Sequence, residues 1–240
     1  VIDSNLSAAF SRVEQRRRDV LNAFEPGFEP ERSDVAGRPG AQPDPSNLCV
    51  VAPEGAYFVG DASGTGLSFT RAGSFAVADG QLRFAADGRP VLGFQFGKPG
   101  VVVPLRVDAY DAALGRAADP RVEADGTFAY THTTVDPRSG ERRAERVAVG
   151  RVALARFPAG TQPERVDATH VRAPVGTAPL LGVPADGRFA ALQTHARDLG
   201  RVDVLAGLER MREAYDGLEA LRAHVKSADS FDRTAMELLK

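Results

Sequence analysis

Four Asp-Gly steps, at Asp79-Gly80, Asp87-Gly88, Asp125-Gly126 and Asp186-Gly187, punctuate the middle of this 240-residue chain. Such steps supply the positive φ that tight hairpins demand. Around them lie short alternating or apolar runs: Tyr57-Phe58-Val59, Leu67 to Phe69, Phe75 to Val77, Leu82 to Phe84, Val91 to Phe96, Val101 to Val107, Phe128 to Thr134 and Val147 to Phe157. A parallel sheet would need helical crossovers between strands, and no helical pattern separates these runs. The expected body is therefore antiparallel β, from about Leu48 to Gln193.

Both ends of the chain carry a different rhythm. Ile2, Leu6, Phe10, Val13, Val20, Leu21 and Phe24 recur at spacings of three, four and seven, the mark of an amphipathic helix. Asp3 or Ser4 can cap its start and Pro26-Gly27 stops it. Near the C-terminus, Val202 to Leu239 contains no proline, with Gly207 and Gly217 as its weak points. Leu205, Leu208, Met211, Tyr215, Leu218, Leu221 and Val225 keep a three–four apolar spacing there, and Asp229 and Arg233 form an i,i+4 pair of helpful orientation. A helix over this stretch would rise about 55 Å, longer than a compact β domain can cover, so its stripe needs a partner. The alternative leaves the helix lying along its own body.

The segment 29–47 is rich in proline and glycine and reads as a linker or extended surface segment. The expected organisation is thus an N-terminal helix over 1–28, a linker over 29–47, a β-rich body over 48–197 and a C-terminal helix over 198–240. The fold class is mainly β, with terminal α-helices that pack as a coiled coil.

Composition narrows the function classes. Residues are 43% hydrophobic and 26% charged with a formal net charge of -2, ordinary for a globular protein and without a field that favours nucleic acid or an acidic membrane. No apolar run reaches the roughly eighteen residues of a membrane span, and Val1 to Phe10 does not read as a signal peptide. Cys49 is the only cysteine, which excludes an intrachain disulfide and a Cys-based zinc site. The histidines, His132, His170, His195 and His224, lack a second ligand at metal-motif spacing.

Gly60 to Gly66 is glycine-rich but lacks the Lys-Ser/Thr of a phosphate loop, and reads as a turn. Arg16-Arg17-Arg18 fans around a helix and suits a solvated or interchain face. The chain has no tryptophan and so no evident stacking platform. No catalytic, cofactor or metal residues are expected, and the chain reads as a non-enzyme. A carbohydrate-active enzyme would need two convergent carboxylates, which the scattered acids do not single out.

One ordered stretch is more specific. Phe69-Thr70-Arg71-Ala72-Gly73-Ser74-Phe75, followed by Asp79-Gly80-Gln81-Leu82 and Asp87-Gly88-Arg89-Pro90-Val91-Leu92-Gly93, resembles the signature of bacterial flagellar rod and hook proteins. Asp125-Gly126-Thr127 and Val149 to Phe157 are similar to two later β segments of that family, and Val202 to Asp229 to its terminal helix. The chain departs from the family at Asn22 to Phe28, which is shortened, and at Tyr215 to Leu221.

The resemblance implies a structural subunit of the flagellar basal-body rod, which crosses the periplasm. Such a subunit is exported without a cleaved signal by the flagellar type III apparatus and polymerises through its terminal helices. It implies an assembly interface at Leu6, Phe10, Val13, Val20, Leu205, Leu208, Met211, Tyr215, Leu218 and Val225. The motif residues are Thr70, Arg71, Ala72, Gly73, Ser74, Phe75, Asp87, Gly88 and Gly93. Partners would be further copies, other axial rod and hook proteins, the export apparatus and the surrounding rings, without nucleic acid or membrane insertion. Proximal rod, distal rod and a short hook-like subunit are left open. The rival reading is a secreted β-rich binding or adhesion module with oligomerising helical ends.

Overall fold

A computed structural model of the protein describes residues 2–25, 28, 30, 40–61, 66–98, 100–107, 117–135, 138–200 and 202–238, the last turns of the C-terminal helix as backbone alone. Outside the described residues lie the Pro26-Gly27 stop, residues 29 and 31–39 of the expected linker, turn residues 62–65 and the side chains of Asp3, Asp229 and Arg233. The chain forms two compact units, one from 1–24, 29–38 and 201–240, the other from 25–28 and 39–200.

The larger unit is β. Its strands are β1 (Ala41–Pro43), β2 (Val50–Val51), β3 (Tyr57–Asp61), β4 (Leu67–Thr70), β5 (Phe75–Ala78), β6 (Gln81–Phe84), β7 (Leu92–Gln95), β8 (Val102–Pro104) and β9 (Ala117–Val122). They continue as β10 (Thr127–Val135), β11 (Arg142–Val152), β12 (Leu154–Arg156), β13 (Glu164–Arg165), β14 (His170–Arg172), β15 (Leu180–Gly182), β16 (Gln193–Thr194) and β17 (Ala196–Asp198). A six-stranded sheet runs β13-β14-β4-β3-β12-β15 and a five-stranded sheet runs β8-β7-β11-β10-β9. The pairs β1–β17, β2–β16 and β5–β6 complete the unit. Among the described residues all these pairings are antiparallel, as the turn chemistry requires.

Side-chain alternation puts both faces of the six-stranded sheet to use. Phe58 of β3 and Leu154 of β12 enter a core with Phe75, Leu82, Phe84, Leu105 and Phe128. Their neighbours Val59, Ala153 and Ala155 enter a second core with Phe69 and Leu92. Each fully buried side chain of this size contributes roughly 1.5–3 kcal/mol. The β5–β6 hairpin turns on Asp79 and Gly80, at φ 51° and 66°, the pair of positive values that a type I′ turn needs. The edge strand β9 carries Pro120 beside Asp119 at φ 52°, with a register shift against β10. Proline is tolerated there because an edge strand need not donate on its open side.

The expected linker gives up part of its length to this unit. Ala41 pairs with Asp198 and Pro43 with Ala196, while the Leu199 amide donates to the Gly40 carbonyl at 3.0 Å. The residues around 41 and 198 therefore lie side by side.

The smaller unit holds α1 (Ile2–Leu21) and α2 (Val204–Leu238). The Asp203 carboxylate caps α2 by accepting from the Ala206 amide at 3.1 Å. A Cβ built on Gly207 would lie 3.1 Å from a Val20 methyl, whereas the Arg222 guanidinium sits 4.9 Å over the Phe10 ring. As α1 advances α2 retreats, so the two helices pack antiparallel. At about 1.5 Å per residue α1 spans roughly 30 Å and α2 roughly 50 Å, and the C-terminal turns of α2 outrun α1.

Candidate assembly interface

The helix pair divides its apolar residues between two faces. A three–four series of covered positions runs through Leu6, Ala9, Val13, Arg16 and Val20 on α1 and through Gly207, Met211, Ala214, Leu218, Leu221 and Val225 on α2, with Gln15 and the 3%-exposed Asp19 covered beside it on α1 and Val204 and Ala206 on α2. Spacings alternate between three and four on both helices, which keeps one narrow seam facing the partner helix. Its centre is Ala9, Val13 and Leu218, each at least 92% buried, with Leu6, Ala214 and Leu221 packed around them. Six of the ten interface residues expected from sequence, Leu6, Val13, Val20, Met211, Leu218 and Val225, thus lie along the seam within the chain.

The other four, Phe10, Leu205, Leu208 and Tyr215, are exposed, and so are Leu21 and Phe24. They share one flank of the pair. On α1 the steps from Phe10 through Glu14 and Arg17 to Leu21 are four, three and four, with Phe24 in the turn that follows; on α2 Leu205, Leu208, Arg212, Tyr215 and Arg222 follow the same course. Phe10 meets Arg222 across the seam, which fixes these two stripes on the same side. Phe24 is 74% exposed and Leu205 75%, an unusual degree for such large apolar groups, and the charged Glu14, Arg17, Arg212 and Arg222 are interspersed along the same flank. Sequence reading placed Leu21 and Phe24 in the helical rhythm without separating their flank from the seam. The burial of α1 against α2 was the missing information.

The motif residues of the β unit form a packed knot rather than an open surface. Arg71 is 2% exposed: its Nε donates to Asp198 Oδ2 at 3.1 Å, one Nη donates to the Ala56 and Pro53 carbonyls at 2.7 and 3.3 Å, and the other to Ala52 at 3.3 Å. One guanidinium therefore ties β4 to the 52–56 loop and to β17. Thr70 accepts from the Ala72 amide, and Ala72 is itself buried. Gly73 is required by contact: an added Cβ would fall 1.8 Å from the Val50 carbonyl oxygen, the residue whose amide donates to Gly73. Ser74 accepts from Ala85 and faces the buried Cys49 thiol, and Phe75 packs edge-on against Phe58 at 5.2 Å. Gly93 is pinned likewise, its missing Cβ 2.3 Å from the Arg151 carbonyl.

Asp87 and Gly88 belong to a charged cluster on the same unit. Arg89 bridges Asp87 at 3.1 Å and Asp167 at 2.9 Å, while the buried His170 has Nδ1 at 3.1 Å from Asp167 and Nε2 at 3.5 Å from Asp87. Burial acts to raise the Asp167 carboxyl, but the Thr169 and His170 amides and the facing imidazole hold it below its ordinary value. Of the other histidines, His132 lies on β10, and His195 and His224 are exposed. Among the described residues no three His, Cys, Asp or Glu side chains gather as a metal site would require, and no helix is long and apolar enough to cross a membrane. No family model matches this chain, and a search of curated proteins finds no match either.

Proposed function

We propose that this chain is a structural subunit that polymerises through its terminal helices, of the kind that builds the bacterial flagellar basal-body rod. The observation that carries the polymerisation is the exposed flank of the helix pair. Burying Phe10, Leu21, Phe24, Leu205, Leu208 and Tyr215 between chains removes apolar area that folding of one chain leaves wet. The alternating three–four seam supports a left-handed coiled-coil geometry for the pair, in which the mean repeat of 3.5 keeps both stripes in register. Assignment to the rod rests on the resemblance of Phe69 to Gly93 to the rod and hook signature.

In this reading the helices form the inner layer of a tube that transmits torque, and the β unit decorates its outside. Its partners are further copies and other axial proteins, with the ring proteins around them. Delivery is by the flagellar type III apparatus to the periplasm-spanning rod, and the chain has no catalytic role.

Two single substitutions test the assembly. Leu208→Asp puts a charge on the exposed flank and should abolish concentration-dependent sedimentation and tubes in negative stain, with helical circular dichroism unchanged. Leu218→Asp puts the same charge into the seam, where the leucine is 3% exposed, and should reduce the helical signal as well. Tubes formed by Leu208→Asp as readily as by wild type would sink the proposal.

A further inference from the structure

His170 opens β14 with 2% of its surface exposed, and carboxylates face it from two turns. Asp167, in the β13–β14 turn, has Oδ1 3.1 Å from Nδ1; Asp87, in the turn after β6, has Oδ2 3.5 Å from Nε2. Arg89, on that second turn, bridges the two acids. The uncharged neighbours are the Thr169 hydroxyl 3.1 Å from Nδ1, Thr70 paired across β4, and the Phe84 ring edge-on at 5.8 Å. Among the described residues no other carboxylate lies in ion-pair reach of the ring.

A neutral imidazole carries one N–H. Whichever nitrogen holds it, the other turns a lone pair toward an acid oxygen, and a buried site screens the two poorly. Nε2 is buried without a hydrogen-bond partner, so the contact to Asp87 is the one left open. An imidazolium has two N–H groups and serves both acids. Charge counting agrees: the guanidinium offsets one of the two carboxylates, and a ring cation offsets the other. Burial works against a charged ring, so the second proton is readily given up.

We propose that His170 is a proton-operated latch: its imidazolium ties the Asp87 turn to the β13–β14 turn, and loss of the proton releases the Asp87 turn. Histidine is the side chain that ordinarily changes charge between about pH 5 and 8. Burial acts to raise Asp167, but the Thr169 and His170 amides bring it below its ordinary value, so it stays ionised across that window. The neutral ring keeps its N–H on Nδ1, the nitrogen with the shorter acid contact, and the Nε2 contact is lost. The added stability is therefore present at the acid end of the window and lost as pH rises. Arg89 alone then holds the Asp87 turn to Asp167. The latch lies within the β unit and owes nothing to how the helices associate.

Amide exchange of residues 85–91, read by mass spectrometry on the full chain at micromolar concentration and corrected for intrinsic rates, follows the turn. The reporters are the Gly88 amide, which donates to the Phe84 carbonyl at 2.9 Å, and the Arg89 amide, which donates to Asp87 Oδ1 at 3.0 Å. Protection should fall about tenfold between pH 5 and 8, the scale of one charge-assisted hydrogen bond. The fall should track the titration of His170, read by exchange of its ring C2 proton. His170→Gln, which does not titrate, should abolish the pH difference. Asp87→Asn should abolish it too, since it removes the charge facing Nε2 and keeps an acceptor for the Arg89 amide; it carries the test where the first variant fails to fold. Equal wild-type protection at the two pH values overturns the latch, as does a pH difference that survives in either folded variant. A His170 ring that stays neutral down to pH 5 overturns it as well.

Discussion

Replacing Arg71 by methionine tests whether the knot in the β unit holds the fold. Methionine keeps the unbranched stem and fills the space, so the loss is electrostatic. Asp198, 1% exposed, would keep its carboxylate in the interior without the guanidinium that faces it at 3.1 Å, and the Ala52, Pro53 and Ala56 carbonyls would lose a charged donor. Breaking a buried pair from one side costs about 3–5 kcal/mol. The three carbonyls share one side chain with that pair, so their losses do not add separately.

With a urea slope of about 2 kcal/mol/M for a unit of this size, the unfolding midpoint should fall by roughly 2 M. Hydrogen exchange of β3 and β4 amides across a urea series reads the β unit without the helices. Arg172→Met is the control: it breaks a shorter ion pair, Arg172–Glu164 at 2.7 Å, whose side chains are 65% and 43% exposed, and should shift stability by no more than about 0.5 kcal/mol. Arg71→Met combined with Asp198→Leu should recover much of the loss, because no unpaired charge remains. An Arg71→Met midpoint no lower than that of Arg172→Met would refute the reasoning.

Gly73→Ala should leave the β unit unfolded or insoluble despite adding one methyl group, since the Cβ would sit 1.8 Å from a backbone oxygen; wild-type amide protection of Val50 would contradict this. Asp186→Asn tests a turn. Burial acts to raise the Asp186 carboxyl, but the Phe189, Arg188 and Val183 amides and the Arg188 guanidinium bring it down from 3.8 to about 2. A folded value below the ordinary one stabilises the fold above about pH 4, and that stabilisation is lost as pH falls through 2. The urea-midpoint gap between wild type and Asp186→Asn should therefore be full at neutral pH and close between pH 4 and 2; a gap that widens on acidification would count against it.

The strands with apolar alternation and clean turns, from Tyr57–Asp61 through Leu154–Arg156, were legible because burial on both faces writes itself into sequence. Ala117–Val122 was not: Asp119-Pro120 breaks the pattern, and an edge strand tolerates both residues. The two- and three-residue strands such as Glu164–Arg165 and Gln193–Thr194 are held by long-range pairing, which no local pattern encodes. Helix positions and their apolar rhythm were legible, but the division into seam and exposed flank was not. Met211 and Leu208 look equivalent on one helix and are distinguished only by which of them α1 covers. For the motif, sequence singles out Arg71 only as part of an ordered stretch, and its role as a buried tie appears once Asp198, far away in sequence, is seen beside it.

The β1–β17 clip bears on how such a chain can diversify. Its entry at Gly40 and exit at Leu199 are joined by one backbone hydrogen bond, so everything between them is a closed excursion from the path linking α1 to α2. Across an antiparallel pair the two strands are about 5 Å apart. An exchanged module of any size would therefore present the same spacing to the flanking chain, provided its own ends meet. The clip marks a graft point between Gly40 and Leu199, and outside it stands Phe28, 1% exposed beneath the Arg165 guanidinium, whose seat an exchanged module would have to supply anew.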